Sequence, residues 1–192
     1  MKVSFRHFAP GEKIPVEGFL KERKLAKYFS RETAAAVVCV GELLAGAKPD
    51  PATPAYYGMG VVEHESFGLD SIAAASAGPD GRFSQARFVE EGFMSVPPLN
   101  QFKVLYNMPL CFVSIVFGLK GDNAAMYSSA SGLLAQAILA PSFPVLIGAG
   151  KSHPDGSVSA AFSLADKADL EALLPEAAGK EAIALFQRRD NA

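Results

Sequence analysis

Three serines stand together at a predicted strand-to-helix corner, a position where a hydroxyl group can serve as a nucleophile. Ser128, Ser129 and Ser131 surround Ala130, after a short apolar segment and before a run of helix-forming residues. A helix N-terminus presents free N–H groups and a partial positive charge, and many enzymes place a nucleophile at such a corner. The sequence therefore indicates a place where acyl transfer or hydrolysis is chemically feasible.

A nucleophilic serine also needs a base close to its hydroxyl. His153 is the candidate base for Ser128, Ser129 or Ser131, because loops beyond strand ends gather at one edge of an open sheet. The alternative is structural, with the three serines capping the helix and satisfying backbone groups at the corner. The sequence leaves both interpretations open and favours the structural one.

The other chemically active residues form no metal or cofactor motif. His7 and His64 each follow a predicted strand, and we expect both to be surface or structural residues. The glutamates on either side of His64 point to the opposite face of an extended chain, so the three side chains do not converge on one ion. Gly148 and Gly150 are predicted to form a tight turn, since no G-x-G-x-x-G pattern surrounds them. We predict no metal and no cofactor.

Strands and helices alternate along the chain, which is the pattern of an α/β protein with a mostly parallel sheet. The predicted strands are 2–8, 56–62, 124–128, 144–147 and 157–164, and 181–187 is predicted as a last strand or extended segment. The predicted helices are 31–47, 67–77, 131–140 and 166–174, together with one that begins near residue 107, and 82–93 is predicted as a helix or extended loop. A short turn at 154–156 joins two strands that should pair antiparallel.

Composition limits the classes of partner. The chain has 192 residues, 49% of them hydrophobic, and a net charge of −2. We predict one domain over residues 1–192. The lack of basic excess argues against nucleic acid and anionic lipid. No signal-peptide pattern opens the sequence and no apolar stretch is long enough to span a bilayer, so we predict a cytoplasmic protein without membrane contact.

A group of residues before and around the corner follows a known pattern. Its members are Asn107, Met108, Ile115, Phe117, Gly118, Leu119, Lys120, Gly121 and Gly132. In this segment the chain resembles the N-terminal half of β-ketoacyl synthases, the condensing enzymes of the thiolase-like superfamily. On this alignment the family's nucleophilic cysteine falls on Ala130, which has no atom that can accept an acyl group. Asp122 and Asn123 also stand where the family usually has Pro-Ser.

The resemblance implies a fold and an interface. The fold is a three-layer thiolase-like half of the α/β class, with a mixed five-stranded sheet, its last strand antiparallel, and helices on both faces. In the family, the strand before the nucleophile pairs with the same strand of a partner across a two-fold axis. The interface residues implied here are Met108, Phe112, Ile115, Val116, Asn123, Ala124, Ala125, Met126 and Tyr127.

The resemblance also implies a function without chemistry at the corner. The family's catalytic histidines and lysine belong to a second half that this sequence does not include. We therefore expect a chain-length-factor-like subunit, not an enzyme by itself, that pairs with a full-length ketosynthase in polyketide or fatty-acid-type biosynthesis and meets acyl carrier protein through that partner. Two alternatives stay open: a homodimeric binding or scaffold protein with this fold, and a small serine acyltransferase or hydrolase using Ser128, Ser129 or Ser131.

Overall fold

The computed structural model describes residues 1–60, 69–96, 105–126 and 128–187. The described residues fall into two compact units. Unit 1 comprises residues 1–60, 106–126 and 128–187 and holds the sheet, and unit 2 comprises residues 69–96 with Leu105. The assignment of a single domain over 1–192 stays a prediction, and each unit is described by itself.

Unit 1 is built on a five-stranded mixed sheet. Its strands are β1 (Lys2–Phe8), β2 (Ala55–Met59), β3 (Asn123–Met126), β4 (Val145–Ser152) and β5 (Val158–Ala165). Their order across the sheet is β1-β5-β4-β2-β3. β2, β3 and β4 are parallel to one another, and β5 pairs antiparallel with both β4 and β1. The α/β class and the mixed five-stranded sheet are confirmed, as is the antiparallel pairing of the last two strands.

The fourth strand is longer than its sequence pattern predicts. β4 does not end at Ile147 but runs to Ser152, because it pairs with β5 along its whole length. The prediction of a tight turn at Gly148 and Gly150 is therefore wrong. Both glycines lie inside the strand at sites of close approach: a Cβ at Gly148 would overlap the Phe162 ring, and one at Gly150 would overlap the Tyr57 hydroxyl.

One face of the sheet is covered by two apolar helices. The long helix α1 (Arg31–Leu44) begins at Ser30, whose side chain accepts a hydrogen bond from the Thr33 N–H, and ends at Ala45 in the left-handed conformation. This cap confirms the predicted start of the helix. Most of α1 is buried, as its continuous apolar sequence predicts. The helix α4 (Met108–Phe117) packs beside it and confirms the helix predicted before the corner.

The opposite face carries the elements that follow the corner. They are α5 (Ala130–Ile138), α6 (Lys167–Glu171), α7 (Leu174–Ala177) and a 3-10 turn at Ala182–Leu185. Leu133, Leu134 and Phe186 are fully buried here against the sheet. The strand or extended segment predicted over 181–187 is wrong, because Ile183 and Leu185 are buried through a helical turn that lies across the sheet face and not through pairing at its edge.

Unit 2 is small and helical. It contains α2 (Leu69–Ser76), a turn that brings Ala77 opposite Phe83, and α3 (Gln85–Arg87), which continues as π and 3-10 turns to Ser95. These elements confirm the helix predicted over 67–77 within the described residues and give helical structure to most of 82–93. Six large apolar side chains among the described residues of this unit are exposed: Leu69, Phe83, Val89, Phe93, Met94 and Leu105.

In the part of the chain that the structure describes, no helix has both the length and the apolar character needed to cross a membrane.

Candidate functional site

The serine corner lies between β3 and the first turn of α5. Ser129 is the N-cap of α5, and its side chain accepts a hydrogen bond from the Gly132 N–H at 3.2 Å. Ser131 is exposed on the first turn, and Ser128 is half-buried. At Ser129 the structural interpretation holds, because its hydroxyl satisfies one of the free N–H groups of the helix.

A segment from the C-terminal part of the chain closes the corner. The Ala130 N–H donates to the Lys180 carbonyl at 3.0 Å, and the Ala182 N–H donates to the Ser128 carbonyl at 2.7 Å. Ala130 itself has no exposed surface. In acyl transfer, a free backbone N–H at this position would stabilise the oxyanion. Here that N–H is already paired, and the side chain beside it is a buried methyl group.

An ion pair holds the closing segment to the sheet. Lys151 Nζ, near the end of β4, lies 2.6 Å from Glu181 Oε2. The lysine side chain is 26% exposed and the glutamate 41%, so solvent screens much of the attraction. The pair fixes the position of Glu181 beside Ser129, to which its backbone is bridged.

The closed corner predicts how a thiol introduced at position 130 would react. In an Ala130→Cys variant made in a Cys111→Ser background, the new thiol should react with iodoacetamide more slowly than a free cysteine, because it is buried and its helix N-terminus is already capped. The rate is compared with that of a model peptide thiol. A rate above the peptide's would contradict the closed corner.

The predicted base, His153, lies with a different serine. Its Nε2 atom is 2.9 Å from Ser159 Oγ, and the Nδ1 atom of His7 is 3.0 Å from the same oxygen. The two rings meet edge to face, with centroids 5.7 Å apart. The structure therefore brings together two of the histidines and a serine that the sequence did not single out, while His64 lies outside the described residues.

A buried carboxyl group was also missed by the sequence analysis. Glu32, in the first turn of α1, is 6% exposed. Its Oε1 accepts from the Tyr57 hydroxyl at 2.8 Å, and its Oε2 accepts from the Ser152 hydroxyl at 3.2 Å. Loss of solvation raises the pKa of Glu32, and the two hydrogen bonds oppose this only in part. The available signal was a glutamate in the first turn of a helix whose following residues, from Ala34, form a long apolar run.

The implied interface residues divide into buried and exposed groups. Met108 and Phe112 are buried in the core, where Phe112 packs on Phe29. Ile115 is 56% exposed and Val116 is half-buried. On β3, Asn123 is exposed while Ala124 and Ala125 are half-buried; the side chain of Met126 and all of Tyr127 lie outside the described residues. The interface stays a prediction, and within it Ile115 offers a large apolar surface to solvent.

A groove runs between α4 and the edge strand β3. Its volume is about 410 Å³. Among the residues that line it are Leu110, Cys111, Ser114, Ile115, Asn123 and Ala125. β3 has a partner on only one side among the described strands, so the groove lies beside an open sheet edge.

The thiols and possible metal ligands show no reactive arrangement in the described ranges. Cys39 and Cys111 are not joined in a disulfide. Burial raises the pKa of the Cys39 thiol to about 12, which keeps it protonated and unreactive. Within residues 1–60, 69–96, 105–126 and 128–187, no three His, Cys, Asp or Glu side chains are grouped so as to hold a metal ion.

Comparisons with known proteins give similarity to solved structures but no family. No family model matches the chain, and no curated protein matches it. The chain is similar to a chain of the solved structure "AntDE:AntF (apo): type II PKS acyl-carrier protein in complex with its ketosynthase bound to the hexaketide", with a TM-score of 0.49 and 11% sequence identity. The match covers 83% of this chain and 52% of that one, so this chain spans about half of that neighbour's length.

Proposed function

We propose that the chain is a ketosynthase-like subunit, non-catalytic in condensation, that associates with a full-length ketosynthase through the edge of its sheet. In this proposal the fold is a thiolase-like half, the pathway is polyketide or fatty-acid-type biosynthesis, and the role is that of a chain-length factor. The resemblance of residues 107–132 to the ketosynthase pattern is the reason for proposing ketosynthases as the related family. The geometry of the corner and of the sheet edge gives it physical support.

The lack of a nucleophile at the corner is the first support. A condensing enzyme holds its acyl chain on a thiolate at this helix N-terminus, whereas Ala130 has a buried methyl group and a paired N–H. The chain can therefore contribute to condensation only by contact with a competent partner.

The open edge of β3 is the observation that best supports association. Its pairing with β2 leaves the far side of β3 without a partner among the described strands. The strand contains no charged residue or proline, the usual means by which proteins protect an exposed edge. Ile115 and the neighbouring groove would flank a strand added at this edge. Edge addition joins main-chain hydrogen bonds to apolar contact, as in other strand-addition complexes.

The experiment is to determine the oligomeric state of the chain, alone and with a ketosynthase. The chain is purified by itself and after co-expression with the full-length ketosynthase of its own gene neighbourhood. Mass is measured by size-exclusion chromatography with light scattering and by native mass spectrometry. We expect a 1:1 complex that persists on dilution to micromolar concentration.

Two outcomes would contradict the proposal. A chain that stays monomeric in every such test would show that the edge of β3 does not bind a partner strand. A stable homodimer that ignores both ketosynthase and acyl carrier protein would instead identify the homodimeric scaffold. If the expected 1:1 complex forms, cross-linking mass spectrometry decides whether β3 lies at the contact.

A further inference from the structure

We propose that Ser159 is the nucleophile of a second site in unit 1, with His153 as its general base and an activated acyl compound as the class of substrate. The site lies at the end of the sheet where β1, β4 and β5 meet. Ser159 is opposite His7 on β1 and opposite Lys151 on β4, and His153 follows the end of β4. This is independent of the proposed association through β3.

The alternation of side chains along the strands explains how the cluster forms. Ala161 and Ala165 on β5, and Val3 and Phe5 on β1, contact the apolar cluster beneath α5. Ser159 and His7 share that face, because side chains two residues apart on a strand point the same way. Cross-strand neighbours on one face come within contact distance. The sheet register therefore sets the His7–Ser159 contact, and the 154–156 turn adds His153.

Counting protons assigns a different role to each imidazole. A serine hydroxyl has one proton and can donate it to only one of two ring nitrogens. His153 Nε2 and His7 Nδ1 are both within 3.0 Å of Ser159 Oγ, so one of them accepts and the other donates. We assign the acceptor role to His153, with its own proton on Nδ1, and the donor role to His7.

Asp155 favours His153 as the base. Its carboxylate accepts hydrogen bonds from the backbone N–H and hydroxyl of Ser157, at 2.9 and 2.7 Å. These bonds hold the pKa of Asp155 below its usual value, and attraction to His153, and then to His7, adds to the effect. A permanent negative charge in the same turn stabilises the imidazolium that forms when His153 takes the serine proton.

Access to the hydroxyl requires movement of one side chain. Ser159 is 2% exposed. His7 is exposed and lies on β1, an edge strand of the sheet, whereas His153 is half-buried and its backbone is bonded to Ser157. The His7 ring can therefore rotate away without breaking a strand pairing. In this arrangement His7 covers the nucleophile and His153 activates it.

The reaction proceeds in two balanced steps. Ser159 Oγ attacks the carbonyl carbon of an ester or thioester while its proton passes to His153 Nε2, and the alcohol or thiol leaves with that proton. Water then attacks the acyl-serine carbonyl, again giving its proton to His153. The carboxylic acid is released and the serine regains its hydrogen.

The test uses the full chain and a fluorophosphonate probe. Attack by Ser159 Oγ on phosphorus releases fluoride and leaves a phosphonyl-serine, which peptide mass spectrometry locates. We expect labelling at Ser159 in the wild type and none there in Ser159→Ala. Labelling should be several-fold faster in His7→Ala, where the cover is removed, and about 100-fold slower or more in His153→Gln, where the base is replaced by an amide.

The opposite responses of the two histidine variants separate this site from a structural cluster. A merely structural role predicts that both substitutions loosen the strand ends and change the labelling in the same direction. Circular dichroism and thermal unfolding confirm that each variant is folded. The proposal is overturned if Ser159 is unlabelled in both the wild type and His7→Ala, or if His153→Gln labels at the wild-type rate.

Discussion

The Ile115→Asp variant is expected to lose the association with a ketosynthase, with a dissociation constant about 100-fold higher or more. Each tenfold weakening corresponds to ~1.4 kcal/mol. Ile115 is 56% exposed and lines the groove beside β3, so a partner strand added there would bury its side chain. A carboxylate in that position would lose its solvation when the partner strand covers it, which opposes binding. Folding should be little changed, because the residue is mostly solvent-exposed in the free chain.

Leu139 provides the matched control. It is 79% exposed, follows α5 on the other face of the sheet, and is not a lining residue of the groove. Leu139→Asp should therefore leave association unchanged while adding the same charge. Affinities are measured by biolayer interferometry or analytical ultracentrifugation, with thermal unfolding as the folding check. If both variants weaken the affinity for the ketosynthase equally, or if neither weakens it, α4 and β3 are not part of the interface.

The sequence predicts the elements of the sheet well where local chemistry decides them. Alternation identified β1 and β5, and Ser30 followed by an apolar run located the start of α1. The turn at 154–156 was enough to predict an antiparallel last pair. These features depend on residues within a few positions of each other. The residue pattern of a single sequence is enough to predict such local features.

The features that the sequence missed depend on distant partners. β4 continues through two glycines because it pairs with β5 along its whole length, and the Phe162 ring and the Tyr57 hydroxyl occupy the space that side chains at these positions would fill. His153 lies against Ser159 because of sheet register, and His7 comes from the other end of the chain. The burial of Glu32 depends on Tyr57 in β2 and Ser152 in β4. The periodicity of apolar and polar residues along the chain does not indicate these contacts.

The Glu32→Gln variant should lose a pH dependence of stability that the wild type has. The pKa of Glu32 is raised above its ordinary value of 4.5 because the carboxyl is buried, so the folded state binds this proton more tightly than the unfolded chain. The resulting stability is fully present below pH 4.5 and is lost as the pH rises through the raised pKa. The size of the effect is about 1.4 kcal/mol for each unit of pKa elevation.

The measurement is the free energy of unfolding in urea at a series of pH values, taken as the difference between wild type and Glu32→Gln. Other carboxyl groups contribute equally to both proteins and cancel. Glutamine retains an oxygen for the Tyr57 hydroxyl and an amide for Ser152, so the difference isolates the charge. The free energy of unfolding of Glu32→Gln, relative to that of the wild type, should therefore increase as the pH rises.

Glu32→Leu separates the charge from the hydrogen bonds. It also removes the titration, but it leaves the fully buried Tyr57 hydroxyl without its acceptor, at a cost of about 1–3 kcal/mol at every pH. The two variants should therefore show parallel pH profiles displaced by a constant amount. A wild-type-minus-Gln difference that is flat with pH would mean that Glu32 is solvated in the folded protein, and that the Tyr57–Glu32–Ser152 network does not hold a desolvated carboxyl group.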